Sequence, residues 1–261
     1  SVEWGFSLAI FFLGMSAAFA GPMVEKNIKK SALVSMVCFV VGFLLIKRPA
    51  GWVYDPATSH VSRKTILKKP VFWGIWIAFY INITCGLALI SQEKDILHDV
   101  LRAFPQYANL SPAKFAAAIS GIIGLVLAVD SVFNTAGRVG FSTLSDHLKR
   151  RETVYQVIFI MSIAVCLLQI FTNSIGNALL WAVLAMLFLV NAGYGGGFST
   201  LPVLLDQHFG TKTVSTMHGL TLSAWAFAGL SGNQLASFVV AHAPDQAHRY
   251  AALIPVLTGL F

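Results

Sequence analysis

Long apolar runs separated by short polar turns set the pattern of this chain. Residues 2–21, 71–92, 115–136, 153–172, 178–205 and 214–241 each reach the roughly 20 residues that a helix needs to cross a bilayer core about 30 Å thick. Residues 31–46 are apolar but slightly short of a span, and residues 250–261 begin one more helix of about half a span. The pattern predicts an all-α fold, a polytopic membrane helix bundle of about seven to eight helices.

One run is interrupted from within. Gly193-Tyr194-Gly195-Gly196-Gly197-Phe198-Ser199-Thr200-Leu201-Pro202 puts four glycines and a proline into the 178–205 segment. In a soluble helix each glycine costs about 1 kcal/mol and a proline about 3. In a membrane they are tolerated, because neighbouring helices approach closely and re-satisfy the freed backbone groups. Gly193 and Gly197 have the spacing of a small-xxx-small packing face. Two readings stand side by side: a face on which helices pack, or a hinge beside a solute path.

Composition agrees with a membrane protein, and charge adds the orientation. The chain is 56% hydrophobic and 11% charged, with a mean hydropathy of +0.73; a globular domain carries about 25% charged residues. The net charge of +7 would suit a nucleic-acid partner. The cations, however, sit between apolar runs rather than in an aromatic-interleaved patch, so no nucleic acid is expected. Fourteen of the eighteen Lys and Arg fall on one side of the alternation, the other four being Lys94, Arg102, Lys114 and Arg249. The positive-inside rule makes that side cytoplasmic and the lipid bilayer the chain's partner.

The front of the chain breaks the alternation. Lys26, Lys29 and Lys30 mark one inner loop, and Lys47, Arg48, Arg63, Lys64, Lys68 and Lys69, against Asp55 alone, mark another. Two loops on the same side need an even number of crossings, yet one short helix separates them. Either residues 31–46 are re-entrant or chain is missing there. Ser1 in place of a methionine is read as the start of a fragment or of a processed chain.

Few residues carry chemistry. Asp130 is the one acid well inside a predicted span, where an ionisable group is costly and faces a cavity or a partner. Asn134 and Arg138 follow it at i+4 and i+8, a stripe on one helix face. The sequence reading puts Arg138 just beyond its span, at the inner lip, and finds no Lys or Arg in the middle of any complete helix. Trp225 takes the mid-depth place in the last complete span. Tyr80, Asn82, Asn191, Tyr194 and His218 are further cavity candidates, each with interhelical packing or hydrogen bonding as the plainer reading. Cys38, Cys85 and Cys166 lie within apolar runs as small buried hydrophobes, with no disulfide or metal spacing. No cofactor and no metal site are expected.

The turn Ser142-Thr143-Leu144-Ser145-Asp146-His147-Leu148-Lys149-Arg150-Arg151 resembles the G-x-x-x-D-x-x-G-R-R loop of the major facilitator superfamily. Asp146, Arg150 and Arg151 match, while Ser142 and Lys149 replace the glycines; the resemblance implies a gating latch at the inner face. Asn134-Thr135-Ala136-Gly137-Arg138, the Tyr194–Pro202 stretch, Phe209-Gly210-Thr211-Lys212, His218-Gly219-Leu220 and Ala224-Trp225 together resemble the C-terminal half of the oxalate/formate antiporter family within that superfamily. The resemblance covers roughly residues 47–261. It implies a partial major facilitator fold: residues 1–46 a remnant of the N-terminal bundle, 47–70 the central cytoplasmic loop, and 71–261 a C-terminal six-helix bundle whose last helix is incomplete. A complete twelve-helix carrier needs about 400 residues at about 20 per span plus loops. The parity conflict is therefore read as an internal deletion of roughly three helices near residues 33–42, and the chain by itself is not expected to complete alternating access.

The function so implied is secondary active transport, not catalysis. The solute is a small organic anion such as a monocarboxylate or an oxalate- or formate-like molecule, moved by antiport or by symport with protons, in a bacterial inner membrane. The related monocarboxylate transporters set an Asp and an Arg four apart in the helix of Asp130; here Asn134 stands at that place and the cation comes at Arg138. The alternatives are a non-transporting membrane remnant or sensor and, remotely, an intramembrane serine hydrolase built on Ser199 and His218. For the latter, Thr200 stands where a nucleophile turn wants glycine.

Overall fold

The computed structural model describes residues 63–172, 177–210, 214–243 and 249–261. The expectations for residues 1–46, the internal deletion, and most of the 47–70 loop lie outside the described residues. Among the described residues every regular element is helical. A short α1 (Arg63–Leu67) leads to α2 (Pro70–Arg102), α3 (Pro105–Ala108) and α4 (Pro112–His147). Then come α5 (Thr153–Phe171), α6 (Asn177–Phe209), α7 (Val214–Ala241), a 3-10 turn (Arg249–Ala252) and α8 (Leu253–Leu260).

Prolines set several of these starts. Pro70, Pro105 and Pro112 each open a helix from a residue with extended backbone, since a proline's missing N–H and fixed φ suit the first turn. α6 ends at Gly210, whose φ of 80° lets its N–H reach the Asp206 carbonyl at 2.8 Å, a left-handed C-terminal cap that disfavours any side chain.

Three expectations need correction. The stretch 93–114 reads as a polar loop, but α2 continues to Arg102 and α4 begins at Pro112. Once a helix leaves the bilayer its polar residues are solvated without unwinding, so hydropathy marks the membrane edge rather than the helix end. The Phe115 helix likewise runs on to His147, about three turns beyond the predicted end at residue 136. Arg138 therefore lies inside α4, not past it. Finally, α6 is continuous through all four glycines and Pro202.

Among the described residues four helices, α2, α4, α5 and α6, are long and apolar enough to cross a membrane. α7 has the length, but His218, Ser223, Ser231, Asn233, Gln234 and Ser237 leave it less apolar. Leu125, Val132, Ile160, Phe171, Trp181, Leu230 and Phe238 stand exposed on the outer faces. Such a surface is a liability in water and suits a multi-pass membrane protein.

α6 is the hub, packing on α4, α5, α2 and α7, while α7 lies chiefly on α2. Two apolar clusters hold these contacts. One gathers Leu89, Leu97, Phe115, Ile119, Met186 and Val190; the other gathers Phe72, Phe79, Ile83, Leu201, Leu205 and Met217. On α6 the first cluster ends at Val190 and the second begins at Leu201. The interval holds Asn191, Thr200 and the glycines.

Candidate functional site

The glycines of that interval do not share one face. A Cβ on Gly193 would come 2.8 Å from Ile158 of α5. One on Gly195 would strike the Asn134 carbonyl of α4, one on Gly196 the Phe141 ring of α4, and one on Gly197 the Asn82 amide of α2. From the other side, a Cβ on Gly137 would strike the Ala192 carbonyl. Backbone meets backbone where α4 crosses α6, so of the two sequence readings the packing role is the one these contacts fill, and it is filled on all sides.

That closeness lets short polar side chains bridge the two helices. The Asn134 amide donates to Asn191 Oδ1 at 2.8 Å, and the Asn191 amide donates to Asp130 Oδ2. Arg138 Nε donates to Asn134 Oδ1 at 3.0 Å. The predicted stripe on α4 thus becomes a hydrogen-bonded line, Asp130–Asn191–Asn134–Arg138, with an acid at one end and a cation at the other. The second oxygen of Asp130 is buried without a partner.

The line continues into aromatic rings. The Arg138 guanidinium lies over Phe198, 5.5 Å from the ring centroid, a cation–π geometry. Phe198 meets Tyr194 at 5.4 Å, Trp225 at 6.0 Å and Phe79 at 5.0 Å between centroids. Six of the candidates, Asp130, Asn134, Arg138, Asn191, Tyr194 and Trp225, are thereby brought into one connected set. Asn82 sits beside it, its amide donating to the Gly193 carbonyl at 3.2 Å. Tyr80 is held apart, donating to Ser231 at 2.8 Å and stacked on Trp76. His218 is half-buried on α7, about two turns from Trp225, and does not join the line. The Ser199 hydroxyl donates to the Arg138 carbonyl at 2.8 Å and the Gly196 carbonyl at 3.1 Å, so it serves the α4–α6 crossing.

Between α4 and α5, Arg151 pairs with Asp146 at 3.8 Å and Arg150 with Glu152 at 3.9 Å, all at exposed or half-exposed positions. The end of α6 joins them. Gln207 accepts from the Arg151 backbone N–H at 3.3 Å, and His208 stands 3.8 Å from Glu152. His208 reads as a loop histidine in sequence, but it occupies the last turn of α6. The Asp146–Arg151 pair alone spans one turn of chain; Gln207 and His208 are what tie that turn to a second helix.

Sequence reasoning misses Glu93. It reads as the first residue of a loop, yet it lies inside α2 with a buried, unpartnered Oε1. The available signal was periodicity: Leu89, Glu93, Ile96, Leu97 and Leu101 recur at helical spacing and all are buried.

Comparison with known proteins agrees with this architecture. Over 174 residues the chain is 24% identical to the oxalate:formate antiporter of Oxalobacter formigenes, a match covering 67% of this chain and 37% of the relative. Over 203 residues it is 25% identical to the uncharacterized MFS-type transporter YhjX of Escherichia coli (strain K12), covering 76% of this chain and 45% of the relative. The chain thus spans less than half the length of the curated relatives it matches. The Major Facilitator Superfamily model matches residues 31–233. A match over most of the chain, on a bundle of bilayer-length helices, makes this protein a member of the major facilitator superfamily, a family of multi-pass membrane transporters.

Proposed function

We propose that residues 71–261 are the C-terminal bundle of a carrier that moves a small organic anion across a bacterial inner membrane by alternating access, with Asp130 as the proton-coupling carboxylate. The observation that carries the reading is the line Asp130–Asn191–Asn134–Arg138 at the α4–α6 crossing. Ionisable groups inside membrane helices face solute paths or proton relays far more often than lipid. Arg138 supplies a cation inside a complete helix, which sequence alone did not provide, and an aromatic neighbour leaves it directional toward a carboxylate. An oxalate-, formate- or monocarboxylate-like anion fits that chemistry, and the oxalate:formate relative supports it.

In this reading the solute carboxylate meets the Arg138 guanidinium, and Asn134 holds that guanidinium in place. A proton on Asp130 neutralises the other end of the line, lowering the cost of moving this helix face through a closed state. Asp146, Arg150, Arg151, Gln207 and His208 form the inner latch. The test is equilibrium binding of radiolabelled oxalate, formate and lactate to the purified chain in nanodiscs. Wild type binds at least one of the three, and Arg138→Gln loses it. Equal binding by both proteins sinks the assignment of Arg138. Orientation is checked by cysteine labelling in cells: positions 60 and 149 react from the cytoplasm and position 109 from outside. Labelling of 149 and 109 from one side overturns the topology.

A further inference from the structure

The last turn of α6 touches two other elements at once. Phe209 lies under the Lys69 ammonium, 5.4 Å from the ring centroid, which sets this turn against the start of α2. Beside it, His208 Nε2 stands 3.8 Å from Oε2 of Glu152, the N-cap residue of α5, and Gln207 accepts from the Arg151 backbone N–H at 3.3 Å. Glu152 is divided between its two oxygens. Oε1 faces Arg150 Nε at 3.9 Å, a partner two residues away that joins no second helix. Oε2, the oxygen toward His208, is buried and has no hydrogen-bond partner. A gap of 3.8 Å is too long for a hydrogen bond. An imidazolium would bring to that oxygen both the missing donor and the opposite charge, and histidine is the side chain that charges between about pH 5 and 8.

Every neighbouring element brings titratable or charged groups to this end of the bundle. From α4 come Asp146, paired with Arg151 at 3.8 Å, and His147, whose Nδ1 lies 2.8 Å from the Thr143 carbonyl. The α4–α5 turn adds the exposed Lys149 and Arg150. On α5, Tyr155 donates to the Gly197 carbonyl at 2.7 Å. α6 itself adds Asp206, whose Oδ1 is buried without a partner. α1 opens with Arg63 and Lys64, Lys68 is exposed beside Lys69, and α7 brings the half-buried His218; Lys212 lies outside the described residues. In this set it is His208 that faces the open oxygen of Glu152.

We propose that His208 and Glu152 form a protonation-gated clasp: a proton on His208 draws the α4–α5 turn onto the end of α6, and its loss leaves that turn to the Gln207 contact. Because Phe209 holds the same turn of α6 to Lys69, the closed clasp ties the starts of α2 and α5 to one helix end. The two side chains are 30% and 41% exposed, and a pair so placed adds little to global stability. Its effect is local, on the turn that carries Asp146, Arg150 and Arg151. The clasp deepens the latch of the transporter reading and rests on that reading for its role. It makes the latch respond to pH on its own face, apart from any proton on Asp130.

The test follows the purified chain in nanodiscs by two readouts. Histidine-labelled protein is titrated by NMR, with His208→Gln assigning the signal, and amide exchange is measured over residues 148–155. Glu152→Gln lowers the His208 midpoint by a few tenths of a pH unit. In wild type, exchange corrected for its intrinsic pH dependence is several-fold slower at about pH 6 than at about pH 8. His208→Gln and Glu152→Gln abolish that difference, and His208→Lys, with a charge at both pH values, protects the turn at both. Circular dichroism verifies folding, and Glu152→Gln with His208→Lys carries the comparison if His208→Gln is not folded. An unchanged midpoint in Glu152→Gln overturns the pair. A displaced midpoint with exchange indifferent to pH overturns the clasp, as does a wild-type pH dependence in His208→Gln. No solute enters the experiment, so the two readings fail separately: a failed clasp leaves solute binding at Arg138 standing, and lost solute binding with an intact clasp removes only its transport role.

Discussion

The crossing of α4 on α6 and the crossing of α2 on α7 both rely on residues with little side chain. Against α2, α7 buries Ala224, Ala228, Gly232 and Ala236, and a Cβ on Gly232 would come 2.8 Å from the Thr84 carbonyl. The polar bonds there are at the rim and uncharged, Trp76 to Ser223 at 2.9 Å and Tyr80 to Ser231 at 2.8 Å. At the other crossing Gly137 and Gly195 let backbones touch, and the polar bonds run through the middle with an acid and a guanidinium at the ends. Alanine methyls fill the space they create. Glycines fill nothing, and the gap goes to amides. Close packing alone therefore marks no site here; what distinguishes the α4–α6 crossing is what its glycines leave room for.

Substitutions that remove this difference are expected to have graded effects. Gly137→Ala puts a methyl into the Ala192 carbonyl, backbone that has no room to yield; it is expected to cost about 3 kcal/mol, the upper range of overpacking. Gly232→Ala at the other crossing should cost about 1 kcal/mol, and Gly229→Ala, which meets open space, close to nothing. Melting of the three in one detergent ranks them, and equal losses would erase the contrast. Asn191→Leu deprives Asp130 and Asn134 of their shared partner and should cost about 2–3 kcal/mol, while Ser231→Ala at the α2–α7 rim should cost about 1.

Asp130→Asn keeps the shape and much of the bonding, so its effect on melting should stay within about 1 kcal/mol. Its consequence is functional: in the intact carrier, accumulation driven by a pH gradient is lost while solute-for-solute exchange survives, measured as two fluxes in the same vesicles. Retained accumulation would make Asp130 structural and leave the two crossings chemically alike. Smallest of all, Asp146→Asn breaks an exposed pair and should shift stability by less than about 0.5 kcal/mol. A larger shift would mean that the α4–α5 turn holds the bundle together.

Much of this was legible in the sequence. Five long helices show as apolar runs in the sequence, four of them apolar enough to cross a membrane, and for Val214–Ala241 both ends coincide with the helix. The Asp130–Asn134–Arg138 stripe follows from helical period alone. What sequence did not show has two physical sources. Hydropathy reports where apolar residues stop, so the helix extensions that carry Glu93, Arg138 and His208 read as loops or lips in sequence. Partnership across helices is not a local property either. Nothing near Asn191 says that its amide lies between Asp130 and Asn134, and nothing near Gly195 says which carbonyl it admits. The Gly193–Gly197 spacing suggested a single face, because periodicity describes one helix and not the number of neighbours around it.

The hub position of α6 also bears on how the chain is made. Its glycines seat against Asn82 of α2, Asn134 and Phe141 of α4, and Ile158 of α5, and all of these precede it in the chain. Synthesis runs from the N-terminus, and early segments have time to settle before later ones emerge. When α6 leaves the ribosome, the helices its glycines seat against have already been made, and α7 then packs mainly on α2, the first long helix of the described bundle. The helix whose glycines depend most on neighbours thus follows those neighbours in the chain, and the order of the codons doubles as an order of assembly.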